Sequence, residues 1–194
     1  MKRDAGFSLL ELLLACSLGL AVFGVAATAL LSEQKLGSRM GGLLRQRHLL
    51  LRANQLIAAD VERGIALAPE LASNCNLAGR QPWMQILGAD GSVTTYSLGL
   101  PPSAIWRGQV LMRCGPAYGL DGQIKAGGTF QNRVVLDGLV PSAKARAGCA
   151  LPEAEAMPQA PVCWELMSGL VQWQLQTTSN GVSANQDGSA LLKG

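Results

Sequence analysis

Between Phe7 and Leu31 the chain runs for 25 residues with one charged side chain, Glu11. A helix crossing a bilayer needs about 20 predominantly apolar residues at about 1.5 Å each, so this run is long enough to span a membrane once. It is longer and more continuous than the apolar core of a cleaved secretory signal, and no small-residue A-x-A site follows it. The leader before it, Met1 to Gly6, is short and polar and carries Lys2 and Arg3. Those cations place the N-terminus in the cytoplasm and the bulk of the chain on the far side of the membrane. Glu11 is the anomaly. A carboxylate in hydrocarbon costs several kcal/mol unless neutralised or paired, so its presence there points to a function.

Gly6-Phe7-Ser8-Leu9-Leu10-Glu11-Leu12, after a basic leader and before an apolar run, resembles the class III signal of type IV prepilins. In that family a membrane peptidase cuts after the glycine and methylates the new N-terminal phenylalanine. The resemblance implies that residues 1–6 are removed, that cleavage falls between Gly6 and Phe7, and that Phe7 carries the N-methyl group. It also implies that Glu11 pairs with the terminal amine of a neighbouring subunit during assembly. Elementary electrostatics agrees, because a buried carboxylate needs a cation and a newly exposed α-amine at the same depth is one. Residues Leu51 to Gly64, LRANQLIAADVERG, are similar to the second half of the long helix in PilW-type minor pilins. Major pilins usually carry a proline in the apolar helix, whereas none occurs here between Phe7 and Ala68, which favours a minor subunit or a pseudopilin.

Beyond Leu31 the helical period continues. Leu36, Met40, Leu43, Leu50, Ile57, Val61 and Ile65 recur at three-, four- and seven-residue steps, with Arg47 and Asn54 in the missing turns. This spacing predicts an amphipathic outer half of the same helix over residues 32–68, packing its stripe on a domain and ending before Pro69. Gly41-Gly42 is its soft point. Arg45, Arg47, His48 and Arg52 form a basic cluster, read first as a solvated face or headgroup contact and second as a contact for nucleic acid.

From residue 69 the texture changes to short apolar runs broken by glycine. Trp83–Leu87 and Ser92–Leu98 around Gly88-Ala89-Asp90-Gly91 predict a β-hairpin. Gln109–Cys114, Arg133–Val140 and the strictly alternating Leu170–Thr177 predict three more strands. Ala143–Pro161, rich in proline and alanine, reads as a loop. Residues 69–178 are therefore expected to be a β-rich domain and residues 179–194 a polar flexible tail. The expected fold class is α+β, a long N-terminal helix packed on an antiparallel sheet, as in pilins.

Cys16 lies in the apolar run and reads as a small packing residue. Cys75, Cys114, Cys149 and Cys163 lie outside it, an even number suited to an oxidising compartment. Three pairings are open. We favour Cys75 with Cys114, tethering the helix exit to the sheet, and Cys149 with Cys163, closing the proline-rich loop.

Chemistry is not what this sequence advertises. G-x-S-x-G, H-E-x-x-H, Walker and G-x-G-x-x-G motifs do not occur. The single histidine, His48, falls on the helix, and the cysteine spacing lacks C-x-x-C. Trp83, Trp106, Trp164 and Trp173 read as core or interface anchors. A net charge of +3 is too small to imply nucleic acid by itself. The expectation is a non-enzymatic minor type IV pilin that helps to initiate or cap a pilus, with no cofactor. Its expected partners are prepilin peptidase and other pilins, met through the N-terminal helix. A pseudopilin of a type II secretion machine and a DNA-receptor pilin are the alternatives.

Overall fold

The computed structural model describes residues 8–67, 71–119, 122–124, 128–139, 162–167, 169–179 and 181–193. Among the described residues one helix, α1, runs Leu9–Val61 and is followed by eight strands: β1 Gly64–Leu67, β2 Gln81–Gly88, β3 Val93–Gly99, β4 Gln109–Pro116, β5 Phe130–Leu139, β6 Val162–Met167, β7 Leu170–Ser179 and β8 Val182–Leu191. The chain forms two units that divide after Leu43. The first is helical. The second contains the last turns of α1 and all the strands.

Within the second unit β1 to β5 form an antiparallel sheet in sequence order, and β6, β7 and β8 form a second antiparallel sheet, also in sequence order. This is the α+β architecture expected. The predicted hairpin is present: β2 and β3 pair with Leu87 opposite Val93. Its turn is closed by Gly88 N–H donating to the Ser92 carbonyl at 2.8 Å. Asp90 Oδ1 accepts from both the backbone N–H and the hydroxyl of Ser92, at 3.0 and 2.6 Å. Those bonds favour the charged carboxylate and lower its pKa.

Residues Leu50, Ala53, Asn54, Ile57, Asp60 and Val61 are the buried positions of α1. Their three- and four-residue steps put them on one face. They join one core with Met84, Tyr96, Leu98, Leu111, Leu136, Val171, Trp173 and Leu175, so the end of the helix packs on residues of both sheets. Each large apolar side chain buried this way contributes about 1.5–3 kcal/mol.

Three expectations need correction. The helix stops at Val61, not near residue 68, because the chain turns through Glu62 and Arg63 into β1. Gly64 then pairs with Gly88, and a Cβ there would collide with Ile86, which fixes the close entry of β1 beside β2. Ile65 consequently belongs to a strand and is 45% exposed, while Leu36, Met40 and Arg47, assigned to the packed stripe, are exposed. The segment read as a flexible tail forms β8, paired with β7 from Leu170–Leu191 to Ser179–Val182. Gly188 is required there because Trp173, directly opposite it, lies where a Cβ on Gly188 would be. Finally, β6 was not anticipated. The loop read over Ala143–Pro161 lies outside the described residues.

Candidate functional site

The N-terminal unit is considered first, by itself. The helix is long and apolar enough to cross a membrane, and none of its apolar window is buried against the rest of the described protein. Leu9, Leu10, Leu12, Leu13, Leu18 and Phe23 are each more than half exposed. Its few hydroxyls bond back into the helix: Ser17 Oγ donates to the Leu14 carbonyl at 2.9 Å and Thr28 Oγ1 to the Val25 carbonyl at 2.8 Å. Polar groups satisfied inside the helix are compatible with hydrocarbon.

Glu11 sits in the first turn, exposed, with its backbone N–H donating to the Ser8 carbonyl at 3.0 Å. A carboxylate suits that end of the helix dipole. Among the described residues the sole ion pair is Arg113–Asp60, so Glu11 has no cation against it there. Gly6 and Phe7 lie outside the described residues. Cys16 is a free, exposed cysteine on the helix surface.

In the second unit the expected Cys75–Cys114 disulfide is present. It fastens the segment after β1 to the centre of the first sheet, aided by Gln85 Nε2 donating to the Leu71 carbonyl at 2.5 Å and Asn132 Nδ2 to the Asn76 carbonyl at 3.1 Å. The other expected pair cannot be placed, since Cys149 and the Cys163 side chain lie outside the described residues. Trp83 and Trp173 are core residues as anticipated, and Trp106 is half-buried. Arg45, Arg47, His48 and Arg52 are all exposed. Among the described residues no group of three or more His, Cys, Asp and Glu side chains could hold a metal.

No protein-family model, curated protein or solved structure matches this chain.

Two polar clamps that the sequence reading missed fix the helix to the two sheets. Asp60, 3% exposed, faces the first sheet from the last helical turn. Its Oδ2 accepts from Arg113 Nε at 2.6 Å and Tyr96 OH at 2.6 Å; its Oδ1 accepts from Arg113 Nη2 at 2.9 Å and Tyr118 OH at 2.5 Å. Arg113 Nη1 reaches the Pro116 carbonyl at 3.0 Å. The guanidinium groups of Arg63 and Arg113 each lie 4.8 Å from the Tyr118 ring centroid, within cation–π range. Burial and the Asp60 charge push the Tyr118 hydroxyl up to about 12 and Tyr96 well above its usual value, so both remain neutral donors. A carboxylate that accepts four hydrogen bonds, two of them from one bidentate arginine, is a saturated joint. The second clamp is Asn54. Its Oδ1 accepts from Trp173 Nε1 at 2.6 Å, and its Nδ2 donates to the Asp187 carbonyl at 3.2 Å. One signal for both was available: Asn54 and Asp60 fall on the apolar stripe of the helix, where a polar residue needs a partner.

Proposed function

We propose that this chain is a minor type IV pilin, a non-catalytic subunit that helps to initiate or cap a pilus fibre. The observation that carries this reading is the N-terminal helix. Its apolar stretch is unburied, holds one carboxylate in its first turn, and follows a Gly6-Phe7 junction of prepilin type. A helix of that composition needs either lipid or other helices around it, and Glu11 needs a cation wherever water is excluded. Both needs are met if the chain first resides in the inner membrane as a single-pass protein and then joins a bundle of like helices. In that bundle the methylated amine of Phe7 on an adjacent subunit faces Glu11.

The outer unit supports a delivery role for the helix. Asp60 and Asn54 lock the last turns of α1 to both sheets, so a load on the helix is passed to the folded domain through buried hydrogen bonds as well as apolar contact. Such a joint suits a subunit handled through its N-terminal segment.

The test is a count of surface fibres in a deletion strain, repeated with retraction disabled. An initiating subunit is needed about once per fibre, so deletion lowers fibre number far more than fibre length. Unchanged numbers in both backgrounds would remove initiation as the role.

A further inference from the structure

Contacts along the last turns of α1 show which way the helix lies across the second unit. Just past its C-terminus, a Cβ on Gly64 would lie 3.3 Å from Leu192, and Lys193 N–H donates to the Gly64 carbonyl at 2.9 Å. Further back, Asp60 bonds Tyr96 and Arg113 inside the first sheet, and Asn54 bonds Trp173 and the Asp187 carbonyl inside the second. Leu50 follows, in one core with Leu98, Leu139 and Leu175. The helix therefore enters the unit, at Leu44, beside the opposite end of the sheets. The β3–β4 loop, residues 100–108, lies at that end. There Gly138 N–H donates to the Arg107 carbonyl at 2.7 Å, and a Cβ on Gly138 would lie 3.3 Å from the Thr178 carbonyl.

Leu100 and Ile105 stand on this loop, each 79% exposed, as bare as Leu9 in the apolar run. Pro101-Pro102 stiffens the loop, and Trp106 N–H closes it on the Ser103 carbonyl at 3.3 Å. Arg107 N–H donates to Asp137 Oδ2 at 3.3 Å, so the apolar tips are held out on a fixed base. Trp106 is half-buried and Arg107 exposed. From Gly91 to Leu120 the sequence holds no acidic residue. The carboxylate beside the loop, Asp137, is already engaged by the Arg107 N–H.

We infer that the 100–108 loop is a second membrane contact, through which Leu100 and Ile105 enter the lipid interface. Trp106 then sits at headgroup depth, where an indole is favoured, and Arg107 meets lipid phosphates. Three observations single out lipid as the occupant. The loop lies at the end of the unit where the chain arrives from its own apolar run. Its apolar tips protrude, and a bilayer takes up a protruding tip without the matching pocket that a protein anchor requires. Its free charge is cationic, which suits an anionic leaflet. Gly41-Gly42, the soft point just before Leu44, lets the unit lean toward the lipid surface. The inference rests on the single-pass reading of α1, and not on assembly into a fibre.

The full chain is reconstituted in vesicles of phosphatidylethanolamine and phosphatidylglycerol. Its tryptophan emission is then quenched by lipids brominated on the acyl chains or by acrylamide in the water. Subtracting the Trp106→Phe variant isolates Trp106, because Trp83, Trp164 and Trp173 are common to both proteins. We expect Trp106 to be quenched by the brominated lipids and shielded from acrylamide. Leu100→Ser/Ile105→Ser should reverse both, while its Cys75–Cys114 pair stays oxidised and its urea midpoint parental. Trp106 open to acrylamide and untouched by the brominated lipids would overturn the inference by returning the loop to water. Shielding from both quenchers would overturn it in favour of a protein partner or a second copy. Parental quenching in Leu100→Ser/Ile105→Ser would overturn it as well. A Leu20→Trp variant separates these failures from a failure of the anchor itself. Its added emission should be quenched by the brominated lipids, and if it is not, the single-pass reading falls and this inference with it.

Discussion

Replacing Asp60 by alanine removes the acceptor of four hydrogen bonds at once. Arg113, whose side chain is 7% exposed, would keep its charge with no carboxylate against it, only the Pro116 carbonyl and the face of the Tyr118 ring. Breaking a buried pair by deleting one partner costs about 3–5 kcal/mol, because the survivor is an uncompensated buried charge. The Tyr96 hydroxyl, fully buried, adds about 1–3 kcal/mol if it finds no new acceptor, whereas half-buried Tyr118 can turn to water. We expect a loss of about 4 kcal/mol, a large share of the 5–15 kcal/mol typical of a domain. With a urea slope near 2 kcal/mol/M the midpoint falls by about 2 M. The assay is urea unfolding of the full chain in micelles, followed by tryptophan fluorescence, since Trp83 packs edge-on against Tyr96 at 6.2 Å between ring centroids. The Asp60→Leu/Arg113→Met double variant should be destabilised much less than the sum of its parts, because no charge is stranded. A loss below about 1 kcal/mol for Asp60→Ala, or strict additivity in the double variant, would refute the account of this joint.

Alkaline pH should act on the same joint. Tyr118 and Tyr96 have folded pKa values above the ordinary 10.0, so their contribution is complete below pH 10; that of Tyr118 is lost as pH rises from 10 through about 12, and unfolding midpoints measured from pH 8 to 12 should fall only above 10. Reducing Cys75–Cys114, which are 39 residues apart, should lower stability by about 4 kcal/mol in the chain-entropy model, read as the difference in urea midpoint with and without reductant. Gly188→Val places a branched side chain against the Trp173 indole and should cost about 1–3 kcal/mol or more, with a shifted tryptophan emission. Glu11→Val should leave the monomer stable in the membrane fraction while abolishing its recovery in sheared fibres.

Elements with strong local signals were legible in the sequence. The Phe7–Leu31 run, the hairpin around Asp90 and the alternation of Leu170–Thr177 needed only near neighbours to be read, whereas Cys75–Cys114, 39 residues apart, was the favoured one of three open pairings. What escaped was written in the other half of a contact. β8 looks polar because its buried positions, among the described side chains, are only Ala184 and Ala190, and the residue opposite Trp173 is Gly188, whose missing Cβ makes room for the indole. The helix end escaped because Ile65 continues the helical period in the sequence while the chain has already entered β1, where Ile65 sits at the register shift between the paired Gly64 and Ala66. Asn54 read as a polar gap in the apolar stripe and Asp60 was passed over; their meaning lay in Trp173 and Arg113, far away in sequence. Arg113 in turn interrupts an apolar strand, which is the same signal seen from the other side.

The claim on which the functional reading rests is that the chain is processed as a prepilin, and the intact mass of the protein recovered from membranes and fibres tests it most directly. The account predicts a polypeptide beginning at Phe7, heavier by one methyl group on its α-amine, with the full-length precursor accumulating when Gly6 is replaced by valine. A mature N-terminus at any other residue, or an unmodified chain still carrying Met1 to Gly6 in assembled fibres, would contradict it.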